Sequence, residues 1–169
     1  ITVRNGVTWG ANVTRDTTNG GAAPAGAGIT FGGTVNADLA SNNRTLTLNA
    51  GTGGDVTFAG VVGGNERPYT ITITNARNVT ATTLTVGNLV QTAGTGTTTF
   101  NGAVTTGLAA GIDLNGTAFA FNGAVTTTNG GVVTITNSGV LTIAAADMTL
   151  DGAFTQAGTG TVSLAGDIT

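Results

Sequence analysis

Thr97-Thr98-Thr99-Phe100-Asn101-Gly102-Ala103-Val104-Thr105-Thr106 is the stretch that decides the fold. Its core, Phe-Asn-Gly-Ala-Val-Thr-Thr, returns unchanged at Phe121 to Thr127, a shift of 21 residues. Looser copies of the same step, an apolar residue, x, Gly, x and an apolar residue, run along most of the chain. They stand at Phe31-Gly32-Gly33-Thr34-Val35, Phe58-Ala59-Gly60-Val61-Val62, Leu150-Asp151-Gly152-Ala153-Phe154 and Leu164-Ala165-Gly166-Asp167-Ile168. The Phe residues that open this step are spaced by 27, 42 and 21, and Leu164 follows Phe121 by 43. Two of these are close to twice 21. A fixed period near twenty residues, with short apolar runs and Gly turns, predicts a solenoid.

Three architectures compete for such a pattern. A β-sandwich has strands at short spacing but no reason to repeat a heptapeptide verbatim. A propeller repeats at roughly 40 residues or more, which the 21-residue shift does not allow. In a β-helix each repeat is one coil, and equivalent residues stack about 4.8 Å apart. Phe100 would then lie under Phe121, Asn101 under Asn122, Gly102 under Gly123 and Val104 under Val125. The reading is an all-β, single-domain parallel β-helix of about eight coils, a rod on the order of 40 Å long. Gly102 and Gly123 fall at corners where a side chain would clash or φ is positive.

Composition agrees. Of 169 residues, 40% are apolar and only 8% charged, and Thr is the dominant polar residue. Thr is β-branched and suits the outer face of a strand. Alternation of period two recurs at Thr45 to Leu48, Val56 to Phe58, Thr70 to Thr74, Thr83 to Val86, Val133 to Thr136 and Val140 to Ile143. Ile71 to Thr106 resembles Val133 to Thr169, which is an offset of about three coils. The nearest helical candidate, Ile143-Ala144-Ala145-Ala146-Asp147-Met148, is too short to stand alone. Ile1 to Trp9 reads as two short strand runs broken at Asn5-Gly6, and Gly10 to Gly28 is the least periodic part; together 1–28 reads as an irregular N-terminal coil, loop or cap, with repeats from 29 to 169. Arg67-Pro68-Tyr69 interrupts the pattern and reads as a loop or bulged corner.

The chain has no His, Lys or Cys. This excludes catalysis by a nucleophile with a His base, Lys chemistry and disulfides. The net charge is −3, and the five arginines are scattered singly, so no nucleic-acid surface is expected. No apolar run is long enough to span a membrane. Paired carboxylates are the remaining catalytic option; Asp147, Asp151 and Asp167 are near enough in sequence for two to share a face, although Asp commonly forms turns. Gly51-Thr52-Gly53-Gly54-Asp55-Val56 is akin to calcium-binding nonapeptide repeats, but its matching positions, Thr97 and Thr161, lack acids. Trp9 and Tyr69 suit either a sugar-binding surface or a core or cap position. Asn12, Asn43, Asn78 and Asn115 open sequon matches, common by chance in a chain rich in Thr and Asn. No catalytic residue, metal ligand or cofactor is expected.

Thr92 to Val104 and Gln156 to Ile168 resemble the units of bacterial extracellular β-strand-repeat proteins, and of autotransporter and filamentous-haemagglutinin surface proteins. The resemblance covers residues 29 to 169 and is one of composition and period. It implies a secreted, right-handed β-helix with a structural or adhesive role at the cell surface. The chain starts at Ile1 without Met and shows no signal-peptide pattern, so the expectation is a processed chain or a segment of a longer one. The expected function is non-enzymatic: a rod within a surface fibre, sheath or adhesin. It would associate end to end or continue in a longer chain, with a surface glycan or a cell receptor as a possible partner. The alternative is a carbohydrate-binding or polysaccharide-degrading β-helix.

Overall fold

A computed structural model describes residues 1–144 and 146–169; Ala145, inside the short helical candidate, lies outside the described residues. The chain winds as a parallel β-solenoid with three sheets. The first turn carries β1 (Thr2–Val3), β2 (Val7–Trp9) and β3 (Val13–Asp16), and the second β4 (Ile29–Phe31), β5 (Val35–Ala37) and β6 (Thr45–Asn49). In the third, β7 (Val56–Phe58) and β8 (Thr70–Asn75) flank Val62, a single bridge between Val35 and Leu84. Then come β9 (Val79–Ala81), β10 (Leu84–Val86) and β11 (Asn88–Gln91), followed by β12 (Thr97–Phe100), β13 (Val104–Thr106) and β14 (Ile112–Gly116). β15 (Ala118–Phe121), β16 (Val125–Thr127) and β17 (Val133–Asn137) precede β18 (Leu141–Ile143), β19 (Met148–Thr149) and β20 (Phe154–Ala157). β21 (Val162–Leu164) starts another turn, and Ile168 bridges back to Met148.

The first sheet stacks eight strands in the order β1-β4-β7-β9-β12-β15-β18-β21, and the third stacks seven, from β3 to β20. The second comprises β2-β5 and β10-β13-β16-β19, joined through Val62. Pairing is parallel throughout the ladders, so backbone hydrogen bonds run along the axis and satisfy each turn from its neighbours.

Alternation explains which way each side chain points. In β8, β12, β15 and β17 every second residue is buried, and the residues between them, chiefly Thr, face outward. Ile71, Leu89, Ile112 and Val133 form one inward column of the third sheet, and Val104 and Val125 belong to a column of the second. These residues are fully buried, in one core running the length of the solenoid. Removing this apolar area from water is the main stabilising term, about 25 cal/mol per Å2.

The period drifts along the chain. Thr30 lies 28 residues after its partner Thr2, Val56 lies 27 after Ile29, and Val79 lies 23 after Val56. The next step, from Val79 to Thr98, is only 19, and Phe100 to Phe121 is 21. Strand lengths hardly change, so the surplus sits in the corners. The first turn spends it on residues 17–28 and the second on a corner with a 3-10 turn at Ala40–Asn42. Residues 1–28 therefore contain three paired strands as well as the long loop. The 42-residue gap between Phe58 and Phe100 is two turns, with Ala81 in the place of Phe.

Candidate functional site

The repeated Phe positions converge on one inward column of the first sheet: Phe31, Phe58, Ala81, Phe100, Phe121, Ile143 and Leu164. Phe31 and Phe58 stack with ring centroids 5.3 Å apart, and Phe100 and Phe121 at 4.9 Å. Outside the same turn, Asn122 Nδ2 donates to Asn101 Oδ1 at 3.1 Å. Gly102 and Gly123 stack at the first corner, between the first and second sheets. Neither has positive φ. A Cβ at Gly123 would lie 2.5 Å from the Gly102 carbonyl oxygen, and one at Gly102 would lie 2.9 Å from that of Thr82. Close backbone approach alone requires glycine here.

Leu164, Gly166 and Ile168 occupy the same corner two turns beyond Phe121, Gly123 and Val125, with Ile168 bridged to Met148 in the Val104 and Val125 column. Leu150 and Gly152 do not. Met148–Thr149 belongs to the second sheet and Phe154 pairs with Val133 in the third, so Leu150 to Phe154 turns the second corner. A Cβ at Gly152 would meet the carbonyls of Gly130 and Gly131, each at 2.6 Å. The same local sequence step serves two corners because both demand a tight turn between inward-facing residues.

Most of the acids act as hydrogen-bond acceptors at corners, whereas Asp113 stands exposed within β14. Asp147 and Asp167 stack one turn apart, and Asp147 Oδ1 accepts from the Asp167 N–H at 3.0 Å. Asp151 Oδ2 accepts from the Gly130 N–H at 2.7 Å. Asp38 receives Arg44 in a two-pronged pair, Nε to Oδ1 at 3.0 Å and Nη2 to Oδ2 at 2.8 Å, and also the Leu39 N–H. The Arg44 guanidinium holds the Asp38 carboxyl well below the usual carboxylate range. At the third corner, between the third and first sheets, Asp55 is gripped by Arg77 at 2.9 and 2.6 Å and by Asn78. Arg77 likewise lowers the Asp55 pKa. Asn78 passes the pattern on by accepting from the Thr97 N–H at 3.0 Å. Asp55, Asn78 and Thr97 thus form one column, and the carboxylate is already engaged by cation and amide.

Trp9 is buried in the core, and Tyr69 is half-buried in the long second corner of the third turn. From that corner the Arg67 guanidinium lies over the shorter corners at Gly87 and Gly107. Among the described residues no group of three or more His, Cys, Asp or Glu could hold a metal ion. Nor is any helix among them long and apolar enough to cross a membrane.

Polar pairs inside the core escaped the sequence reading. Thr98 Oγ1 donates to Gln91 Oε1 at 2.7 Å, both residues being 2% exposed. Buried Thr127 donates to the Gly131 carbonyl at 2.6 Å, and Gln156 donates to buried Asn137 at 2.7 Å. Gln91 carried a signal, because it holds an inward place in the Leu89-Val90-Gln91 alternation. Two clefts, of about 370 and 240 Å3, open along the third corner.

No family model, curated protein or solved structure matches this chain. What it can do is therefore argued from its own fold and surface.

Proposed function

We propose that this chain is a non-enzymatic structural rod of the bacterial cell exterior, a segment or subunit of a surface fibre, sheath or adhesin. One observation carries the reading: successive turns pair in parallel and in register around one apolar core that runs the length of the solenoid, so the same pairing can repeat along the axis. A head-to-tail contact that does not close propagates into a filament. The threonine-covered exterior and the corner-bound acids suit a mechanical role.

The first test is mass and form. Light scattering across a concentration series should show growing particles, and oriented specimens should give an axial repeat of about 4.8 Å. A mass that stays at one chain at every concentration removes the polymerising subunit. Labelling of intact source cells with antibody should reach the protein; signal only after lysis removes the surface assignment. Release of reducing ends from polysaccharides by the purified chain would overturn the non-enzymatic reading.

A further inference from the structure

The third corner has a chemistry that the rod reading does not use. Its larger cleft is framed by Asn115, Thr136, Ser138 and Thr159, over backbone laid bare at Gly94 and Gly158. These residues come from four successive turns, so the cleft extends roughly 14 Å along the axis at about 4.8 Å per turn. Neighbouring polar groups are tied up: Thr117 Oγ1 donates to the Gly94 carbonyl at 3.0 Å, and Asn137 is held by Gly139 and Gln156. Among the described residues, the side chains of Asn115, Thr136, Ser138 and Thr159 make no hydrogen bond within the protein, and these four residues line the opening. The smaller cleft continues the same corner on earlier turns, past Thr18, Asn49 and Thr74. A hydrogen bond from Thr95 Oγ1 to the Thr52 carbonyl at 2.9 Å crosses the same corner.

The lining narrows the ligand. It has no cation, so phosphate esters, nucleic acids and acidic polysaccharides lack a counter-charge. It has no aromatic or large aliphatic wall for an apolar ligand. What it offers is one amide and three hydroxyls repeated along an axis, each able to donate and accept. We infer that the third corner binds a neutral glycan chain lying parallel to the solenoid axis. Sugar hydroxyls pair with Asn115, Thr136, Ser138 and Thr159 on successive turns, and the glycines let the pyranose rings approach the backbone. This goes beyond the rod and stands or falls separately from it.

The test is a titration of the full chain, labelled with 15N, with cellohexaose, maltohexaose and hexagalacturonic acid as a charged control. A neutral hexasaccharide should shift the amides of Gly94, Gly116, Ser138 and Gly158 with a Kd on the order of 1 mM. Asn115→Ala and Ser138→Ala should each weaken binding about fivefold, the worth of one hydrogen bond. Thr105→Ala, on the second sheet, should leave it unchanged. The inference is overturned if neither neutral sugar shifts these amides at about ten times that concentration. It is also overturned if shifts scatter over all three sheets, if the charged control binds equally, or if both cleft variants bind like the parent.

Discussion

At the scale of single residues, the column of Phe31, Phe58, Phe100 and Phe121 concentrates the packing energy. Phe100 is 1% exposed and Phe121 fully buried, and stacking adds about 0.5–1.5 kcal/mol per pair beyond the area removed from water. Phe100→Ala should cost about 3–5 kcal/mol, read as a lower urea midpoint at unchanged slope. A loss below about 1 kcal/mol would mean that the neighbours collapse into the gap. Gly123→Ala should also destabilise, by roughly 1–3 kcal/mol, because the new methyl meets the Gly102 carbonyl. The Gln91–Thr98 pair gives a sharper test. Thr98→Val alone leaves Gln91 Oε1 unpaired and should cost about 1–3 kcal/mol, whereas Gln91→Leu with Thr98→Val should be nearly neutral. Additive losses in that cycle would refute the bond as the source of the cost.

At the scale of elements, the corners carry the electrostatics. Asp38 joins the end of β5 to the short 3-10 turn by accepting from Arg44, Leu39 and Asn42. Its folded pKa lies below the ordinary 3.8, as do those of Asp16, bonded to Thr18, and Asp55, bonded to Arg77. A depressed carboxylate stabilises the fold above its unfolded pKa, and that contribution fades as the pH falls through the lower folded value. The Tm should therefore be level from about pH 7 to 5 and decline below about pH 4. Asp38→Asn should lower the Tm at neutral pH and approach the parent near pH 2. Parallel curves over the whole range would show that this corner contributes nothing through its charge.

At the scale of the whole molecule, each turn contacts chiefly its two neighbours, so stability should be nearly additive in turns. Excising residues 97–117, one full turn, brings Gly96 to Ala118 at the register that Thr117 already holds. The shortened chain should keep a β-sheet circular dichroism spectrum and unfold cooperatively at a lower Tm. An unfolded or aggregated product would show that the turns do not act as interchangeable units. The longer turns near the start are different, because their corner loops are knitted by specific bonds. Thr17 Oγ1, for example, donates to the Ala27 carbonyl at 2.8 Å.

The solenoid and the in-register pairing of Phe100 with Phe121 were legible in the sequence, because a strand's alternation and a 21-residue repeat are local patterns written along the chain. The inward place of Gln91 was legible too, for the same reason. Which corner a glycine turns was not. Leu150-Asp151-Gly152-Ala153-Phe154 and Phe100-Asn101-Gly102-Ala103-Val104 share one pattern, yet they bend at different corners. Local sterics ask for the same glycine at both, and only the pairing of Phe154 with Val133 tells them apart. Nor could the chain alone show that Asn115, Thr136, Ser138 and Thr159 line one cleft. Their spacing keeps the 21-residue period, Asn115 pairing with Thr136 and Thr136 with Ala157, but only the path of the chain beyond the third-sheet strands shows that they border one opening.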